Sequence, residues 1–325
     1  MALTIQEEIR QLAQEQGAVI LAHNYQHPEV QEIADFIGDS FELAKVGREV
    51  PQRMIVFCGV HFMAETAKIL SPEKSVHMPD THAGCPMANM ISDKVLAKLK
   101  EKHPGAGVMA YVNSSAKVKA MSDVCCTSAN AVQVAEVYFP EDQPIIFVPD
   151  VSLGAYVKER AKRKIILYEG FCPTHHRILP EDVRRAKANY PNAKVIAHPE
   201  CQQEVMDLAD YVESTSGMLR QAKADPAREF IVCTEQGLIH RLQREIPEKI
   251  FYSPSELNVC PNMKKTTLDK IKITLETHNN PIYVEEEVWQ GAYAALERMM
   301  QTSSLQAPLV TREMRQEWRE LAQVA

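Results

Sequence analysis

The feature that most constrains the fold is a pattern that the chain repeats three times. Each copy starts with a run of apolar residues, and aligning these runs places His23, Tyr111 and His198 at one position, with offsets of 88 and 87 residues. In every copy an aspartate follows twelve residues later, and a serine or threonine follows five residues after the aspartate. These residues are Asp35, Asp123 and Asp210, then Ser40, Ser128 and Thr215. Three matches at one spacing indicate an internal structural repeat.

Each copy also has the same order of predicted elements. A helical segment precedes the first apolar run, and two further apolar runs follow the Ser/Thr position with helical segments between them. Alternating strands and helices predict parallel sheets with helices on both faces. A period near 88 residues is too long for a solenoid. We therefore predict an α/β protein of three similar α/β/α domains with parallel sheets, arranged around a pseudo-threefold axis.

The repeat period also predicts the domain boundaries. The three repeats and a C-terminal helical extension, which packs back on an earlier repeat, are assigned to residues 1–91, 92–178, 179–265 and 266–325. The extension restarts the pattern with a helix and a strand within residues 266–288, but does not complete it. A helix is expected at 286–300, and residues 312–323 have helical composition.

Charge and hydropathy exclude several classes of protein. A net charge of −7 gives no basic surface, which argues against nucleic-acid binding. The apolar runs, such as residues 19–22 and 145–148, have the length of strands and are far too short to span a membrane. The N-terminal residues resemble a helix and lack the apolar core of a signal peptide. We expect a cytoplasmic protein.

Eight cysteines need an explanation in that compartment, where structural disulfides are rare. The sequence has no C-x-x-C motif, and buried packing is the default for most of the eight, including Cys58 and Cys233. Three others follow the repeat. Cys85, Cys172 and Cys260 are 87 and 88 residues apart, and a proline follows each of them.

These three cysteines come just after the last apolar run of each copy, where α/β sheets carry ligand-binding loops. Around a threefold axis, three such thiols can converge on a soft metal centre. The alternative is that the three cysteines are buried packing residues, retained because the repeats descend from one ancestral repeat. Zinc usually takes four ligands, and no fourth cysteine is in register. A [4Fe–4S] cluster at the centre, with one iron open to act as a Lewis acid, is therefore favoured over zinc.

Polar residues at the predicted strand ends could act on a substrate at that iron. They are His23, Tyr25, Tyr111, Asn113, His198 and Glu200. Ser40, Ser128 and Thr215 are expected to begin helices, where hydroxyl and free N–H groups bind carboxylate or phosphate. The alternative for each of these residues is a purely structural role, as a helix cap or a packing residue. His175 is three residues from Cys172, and Glu200 could be a general base because burial shifts the pKa of a carboxyl towards neutral pH.

Several blocks of these residues resemble those of the quinolinate synthase family. The blocks are AHNYQ, AGCPMA, AYVNSSA, CTSANA, GFCPTHH, AHPEC, ESTSGM and VCPNMKK, in order between about residues 17 and 300. The resemblance implies three α/β domains about a pseudo-threefold axis and a [4Fe–4S] cluster on Cys85, Cys172 and Cys260. It implies a transferase of NAD biosynthesis that condenses iminoaspartate with dihydroxyacetone phosphate to quinolinate, with loss of phosphate and water. Transient contact with L-aspartate oxidase, or another source of unstable iminoaspartate, is a further expectation.

The resemblance also implies roles for individual residues. The groups expected to hold carboxylate and phosphate are His23, Ser40, Ser128, His198, Ser214 and Thr215. Tyr25 is expected near the triose phosphate. Tyr111, Asn113, His175 and Glu200 are expected to handle proton transfers and the position of the substrate at the iron. Two other classes stay open: a radical iron–sulphur enzyme of the diphthamide-synthesis type, and a cluster-based sensor.

Overall fold

The first repeat alternates helices and strands. A computed structural model describes residues 3–304, so the helical composition noted at 312–323 lies outside the described residues. The elements of the first repeat are α1 (Ile5–Glu15), β1 (Ala18–His23), α2 (Pro28–Ile33), β2 (Phe36–Gly38), α3 (Ser40–Glu49), β3 (Met54–Cys58), α4 (His61–Leu70) and β4 (Ser75–His77).

The second and third repeats have the same order of strands. The second contains α5 (Asp93–Lys102), β5 (Gly107–Tyr111), α6 (Ala116–Ala120), β6 (Val124–Cys126), α7 (Ala131–Val137), β7 (Ile145–Val148), α8 (Val151–Ala161), β8 (Ile165–Leu167) and α9 (Pro173–His176). The third contains α10 (Pro180–Asn189), β9 (Lys194–Ala197), α11 (Gln203–Met206), β10 (Tyr211–Val212), α12 (Thr215–Ala224), β11 (Glu229–Cys233), α13 (Gly237–Glu245) and β12 (Ile250–Tyr252). Two further helices, α14 (Leu268–Thr277) and α15 (Glu286–Ser304), follow them.

Each repeat forms one four-stranded sheet. The strand orders are β2-β1-β3-β4, β6-β5-β7-β8 and β10-β9-β11-β12, and the pairs are parallel throughout. The inner strands β1, β3, β5 and β7 are buried along their whole length, as expected when helices cover both faces of a parallel sheet. The predicted α/β class with three parallel sheets is confirmed.

The aspartate of the repeat has one structural role in all three copies. A carboxylate oxygen of Asp35 accepts a hydrogen bond from the backbone N–H of Ile20 at 2.7 Å. The equivalent bonds run from Val108 to Asp123 at 2.6 Å and from Val195 to Asp210 at 2.7 Å. The backbone N–H of each aspartate returns a bond to the carbonyl of the same strand residue. In each repeat, these two hydrogen bonds hold the segment that contains the aspartate beside the first strand.

A cation before the last strand of each sheet binds carbonyl groups at the end of a preceding helix. The ammonium of Lys74, which is buried, donates to the carbonyl of Gly47 at 2.7 Å. Lys249 donates to the carbonyl of Ala222 at 2.5 Å, and Arg163 donates to the carbonyl of Phe139 at 2.7 Å. Cations at helix C-termini satisfy carbonyls that have no partner within the helix.

The described chain divides into two compact units. Within the described residues, one unit comprises 3–85 together with Cys172–Tyr283, and the other comprises Pro86–Phe171 together with 284–304. In the first unit, Ile271 and Leu275 of α14 share one apolar cluster with Ile9 of α1 and Ile20 of β1.

In the second unit, α15 packs against α6, β6 and α7. A Cβ added at Gly291 would lie 2.6 Å from the carbonyl oxygen of Ala120, so only glycine permits this close approach. The strand expected within residues 266–288 is wrong, because Pro281 makes only an isolated antiparallel bridge with His77. Among the described residues, no helix has the length and apolar character that a bilayer crossing requires.

Candidate active site

The three cysteines that follow the repeat differ from the other five. Cys85, Cys172 and Cys260 are partly exposed, whereas the remaining cysteines are buried. All three belong to the first unit. Burial raises the pKa of the Cys172 thiol well above its usual value, and the negative charges of Glu200, Cys85 and Cys260 add to this effect.

A side chain from α9 joins one of these cysteines to the end of β9. The Nδ1 atom of His175 lies 3.2 Å from Sγ of Cys172 and 2.8 Å from a carboxylate oxygen of Glu200. The ligand atoms of these three residues all lie within 4.8 Å of one another. Together they offer sulfur, nitrogen and oxygen ligands of the kinds that transition metals accept.

The opposite nitrogen of the same ring leads to a residue that the sequence did not reveal. Nε2 of His175 lies 2.8 Å from the hydroxyl of Thr234, and the Tyr25 hydroxyl lies 2.6 Å from that same oxygen. Nδ1 of His175 faces the Glu200 carboxylate, and the Thr234 hydroxyl bridges Nε2 of His175 and the Tyr25 hydroxyl. A buried chain of polar groups thus runs from Glu200 to Tyr25.

Two further histidines occupy equivalent positions in the first and third repeats. The backbone N–H of Tyr25 donates to Nδ1 of His23 at 3.2 Å, and that of Glu200 donates to Nδ1 of His198 at 3.3 Å. Burial lowers the pKa of each ring to about 3. Both rings are therefore neutral, and their hydrogen sits on Nε2, which makes Nε2 a donor. The ring of His198 stacks on His175 with the centroids 4.7 Å apart.

The hydroxyl groups of the first unit lie at helix starts, as predicted for two of them. Ser40 is the first residue of α3 and Thr215 is the first residue of α12. Ser214 is the N-cap of α12, and its hydroxyl accepts from the backbone N–H of Gly217 at 3.2 Å. Ser214 therefore has the structural role of a helix cap, which is common for a serine at the start of a helix.

Thr215 has a partner that the sequence analysis missed. The side-chain amide of Asn24 donates to the Thr215 hydroxyl oxygen at 2.8 Å. The amide oxygen of Asn24 accepts from Arg241 at 2.6 Å, which fixes the orientation of the amide. Because Thr215 accepts this bond, its own hydroxyl hydrogen can point to another acceptor such as an anion.

Three predicted residues belong to the second unit. Tyr111 ends β5 and is buried, and Asn113 is buried two residues later. The expectation that Ser128 begins a helix is wrong, because α7 begins at Ala131 with Asn130 as its N-cap. The Asn130 side chain accepts from the backbone N–H of Thr127 at 2.6 Å. This bond holds a turn that contains Ser128 and delays the helix by three residues.

Comparison with known proteins relates this arrangement to one family. The family described as Quinolinate synthetase A protein matches residues 7–301. The chain belongs to this family. The quinolinate synthase of Dehalococcoides mccartyi strain CBDB1 is 53% identical over 296 residues, covering 91% of this chain and 97% of the relative. Quinolinate synthase 1 of Methanosarcina acetivorans is 52% identical over 294 residues, covering 90% of this chain and 96% of the relative. The quinolinate synthase of Caldicellulosiruptor bescii is 50% identical over 298 residues, covering 91% and 98%.

The match to the quinolinate synthetase A family covers the whole candidate site. Residues 7–301 include every candidate residue described above. The resemblance that the sequence motifs carried is confirmed, and the relatives are enzymes rather than sensors. Among the described residues, the first unit contains three partly exposed cysteines. One of them, Cys172, also forms a group with His175 and Glu200 that could hold a metal.

Proposed function

We propose that the protein condenses iminoaspartate with dihydroxyacetone phosphate to quinolinate, with loss of phosphate and water, as a step of NAD biosynthesis. The observation that carries this proposal is membership of the quinolinate synthetase A family over residues 7–301. The chain of buried polar groups from Glu200 to Tyr25 beside Cys172 supports it, since imine condensation, isomerisation and dehydration all require acid and base groups.

The proposed cofactor is a [4Fe–4S] cluster held by Cys85, Cys172 and Cys260. The donor set fits such a cluster, because these three cysteines alone among the eight are partly exposed. Burial raises the pKa of the Cys172 and Cys260 thiols, so a cation has to replace the proton for thiolate to form. When bound, the cluster supplies an iron without a protein ligand, which can act as a Lewis acid towards a substrate carboxylate or hydroxyl.

The binding roles follow from the donors that the chain presents. Neutral His23 and His198 can each donate from Nε2 to a carboxylate or phosphate oxygen without adding a charge. Thr215, which accepts from Asn24, can donate its hydroxyl hydrogen to the same kind of group. We assign Ser40, Ser214, Ser128 and Asn113 to substrate binding as well. Ser214 also caps α12, so its binding role has to coexist with the cap.

The proton-transfer roles follow from the polar chain around His175. Glu200 is the proposed general base, and His175 holds it through the contact of 2.8 Å at Nδ1. Nε2 of His175 lies 2.8 Å from the Thr234 hydroxyl, which is also 2.6 Å from the Tyr25 hydroxyl. The chain thus joins a carboxylate that can take up a proton from the substrate to a hydroxyl that can give one up. Tyr25 and Tyr111 are the proposed hydroxyl donors.

Iminoaspartate hydrolyses in water, so it has to reach the enzyme that uses it before it is lost. An enzyme that uses it benefits from proximity to the oxidase that makes it. Transient contact with L-aspartate oxidase, or another source of iminoaspartate, is therefore part of the proposal.

The test is anaerobic purification followed by iron, sulfide and zinc analysis, a visible spectrum, and a quinolinate assay with both substrates. We expect about four irons and four sulfides per chain, as the proposed cluster requires, and quinolinate formation that depends on both substrates. Stoichiometric zinc in an active protein would reject the cluster. Cleavage of S-adenosylmethionine by the reduced protein, without quinolinate formation, would favour the radical-enzyme alternative.

A further inference from the structure

Glu235 is a fully buried carboxylate directly after Thr234, and the mechanism proposed above does not use it. One carboxylate oxygen accepts from the backbone N–H of Cys260 at 3.1 Å. The other oxygen accepts from the backbone N–H of Gly237, the first residue of α13, at 2.6 Å. A buried charge therefore points directly at the backbone of a proposed cluster cysteine.

Lys264 neutralises this charge and makes a second connection. Its ammonium lies 3.0 Å and 3.2 Å from the two oxygens of Glu235. It also donates to the backbone carbonyl of Tyr25 at 2.5 Å, and the Lys264 backbone N–H donates to the carbonyl of Cys260 at 3.3 Å. One ion pair thus fixes the loop of Cys260 from both sides and connects it to the chain around Tyr25.

Another ion pair of the same repeat provides the contrast. Lys194 lies 2.7 Å from Asp225, whose side chain is also nearly buried. The other partners of the Asp225 side chain are the Tyr211 hydroxyl and the backbone N–H of Ala227. No proposed cluster or substrate residue is among these partners, so the two pairs have similar chemistry but different neighbours.

We infer that Glu235 and Lys264 are positioning residues, which hold Cys260 in place for the cluster and Tyr25 in place for the substrate. A buried ion pair contributes little net stability, because desolvation offsets the attraction, but its geometry is strict. Groups that bind the residues around a metal ligand fix the orientation of that ligand. The inference rests on the proposed function, in which Cys260 is a cluster ligand.

The test compares three variants with the wild-type holoprotein under anaerobic conditions. Glu235→Gln removes the charge with little change of shape. The double variant Glu235→Gln with Lys264→Gln leaves no unpaired buried charge, so it can fold even where the single variant does not. Asp225→Asn is the control for loss of a paired, buried carboxylate in the same repeat. The measurements are the rate of cluster loss to a chelator, hydrogen exchange of the peptide that contains Cys260, and the melting temperature.

We expect cluster loss about 10–100-fold faster in the Glu235 variants, as for other groups that support a metal ligand. Exchange at Cys260 should also be faster, because a single glutamine oxygen replaces the two carboxylate oxygens that accept from Cys260 and Gly237. Asp225→Asn should lower the melting temperature without either change. Wild-type rates in the double variant, or equal acceleration in Asp225→Asn, would overturn the inference. If wild-type protein holds no cluster, the proposed cofactor fails, while exchange at Cys260 still decides whether Glu235 positions that loop.

Discussion

The carboxylate of Glu200 lies 2.8 Å from Nδ1 of His175. Glu200 follows β9, whereas His175 lies in α9 beside Cys172. Their pairing brings the proposed base to the cysteine loop, and it makes Glu200 the first residue to test.

Glu200→Gln should lower turnover by roughly 10²–10⁴-fold, because it removes a general base with little change of shape. Iron content and substrate affinity should be unchanged. The measurement is a steady-state quinolinate assay, with exposed Glu204→Gln on α11 as the control. If Glu200→Gln lost the cluster, or weakened affinity alone, Glu200 would be a structural or substrate-holding residue and His175 would become the leading candidate for the base.

Cys172→Ala should abolish the visible absorbance and the activity together, and the same holds for Cys85→Ala and Cys260→Ala. A buried thiol replaced by alanine loses packing but no metal ligand, so Cys233→Ala should keep both properties. Iron and sulfide analysis of anaerobically purified variants checks this. A full cluster in Cys172→Ala would show that the cluster has another ligand.

Thr234→Val should lower turnover by roughly ten- to a hundredfold, since an unpaired buried polar group costs about 1–3 kcal/mol. The change leaves both Tyr25 and His175 without their shared hydroxyl. Thr234→Ser restores that hydroxyl and should recover most of the activity. Equal rates for the valine and serine variants would mean that the hydroxyl has no part in the reaction.

The free energy of unfolding should fall as the pH decreases below about 6.5, the ordinary pKa of histidine. The pKa of His23 and of His198 is lowered to about 3 by burial, so between these values the unfolded chain binds protons that the folded chain does not. The stabilisation is complete above pH 6.5 and is lost towards pH 3, by about 1.4 kcal/mol per pH unit for each ring. Urea unfolding of cluster-free protein measures the slope, which His198→Gln should reduce; an unchanged slope would contradict the assignment.

The repeat made the sheets and the cysteine register predictable, because both recur at fixed spacing. Thr234 was missed because it departs from the repeat: Gly59 stands directly after the equivalent strand, β3. The one available signal for Thr234 was that a polar residue follows β11, whereas Gly59 follows β3. The register also identified Asp35 and its equivalents, but only the structure shows that they bind a neighbouring strand residue.

Glu235 and Lys264 could not be paired from the sequence. Their ion pair depends on how the chain after β11 meets the turn after Cys260, and the contact with Tyr25 joins residues 239 positions apart. No spacing rule covers such contacts. Ser128 was misplaced for a local reason, since Asn130 caps the helix in place of the residue that the register indicated.

The positions shared by His23, Tyr111 and His198 show what joining the three repeats in one polypeptide permits. An assembly of three identical single-repeat chains would carry the same side chain at this position in every copy. Within one chain, each copy can mutate alone, so one keeps a phenol where the others keep an imidazole. Copies with different side chains at this position can then bind groups of different shape and charge, while the reciprocal bonds of Asp35, Asp123 and Asp210 stay the same.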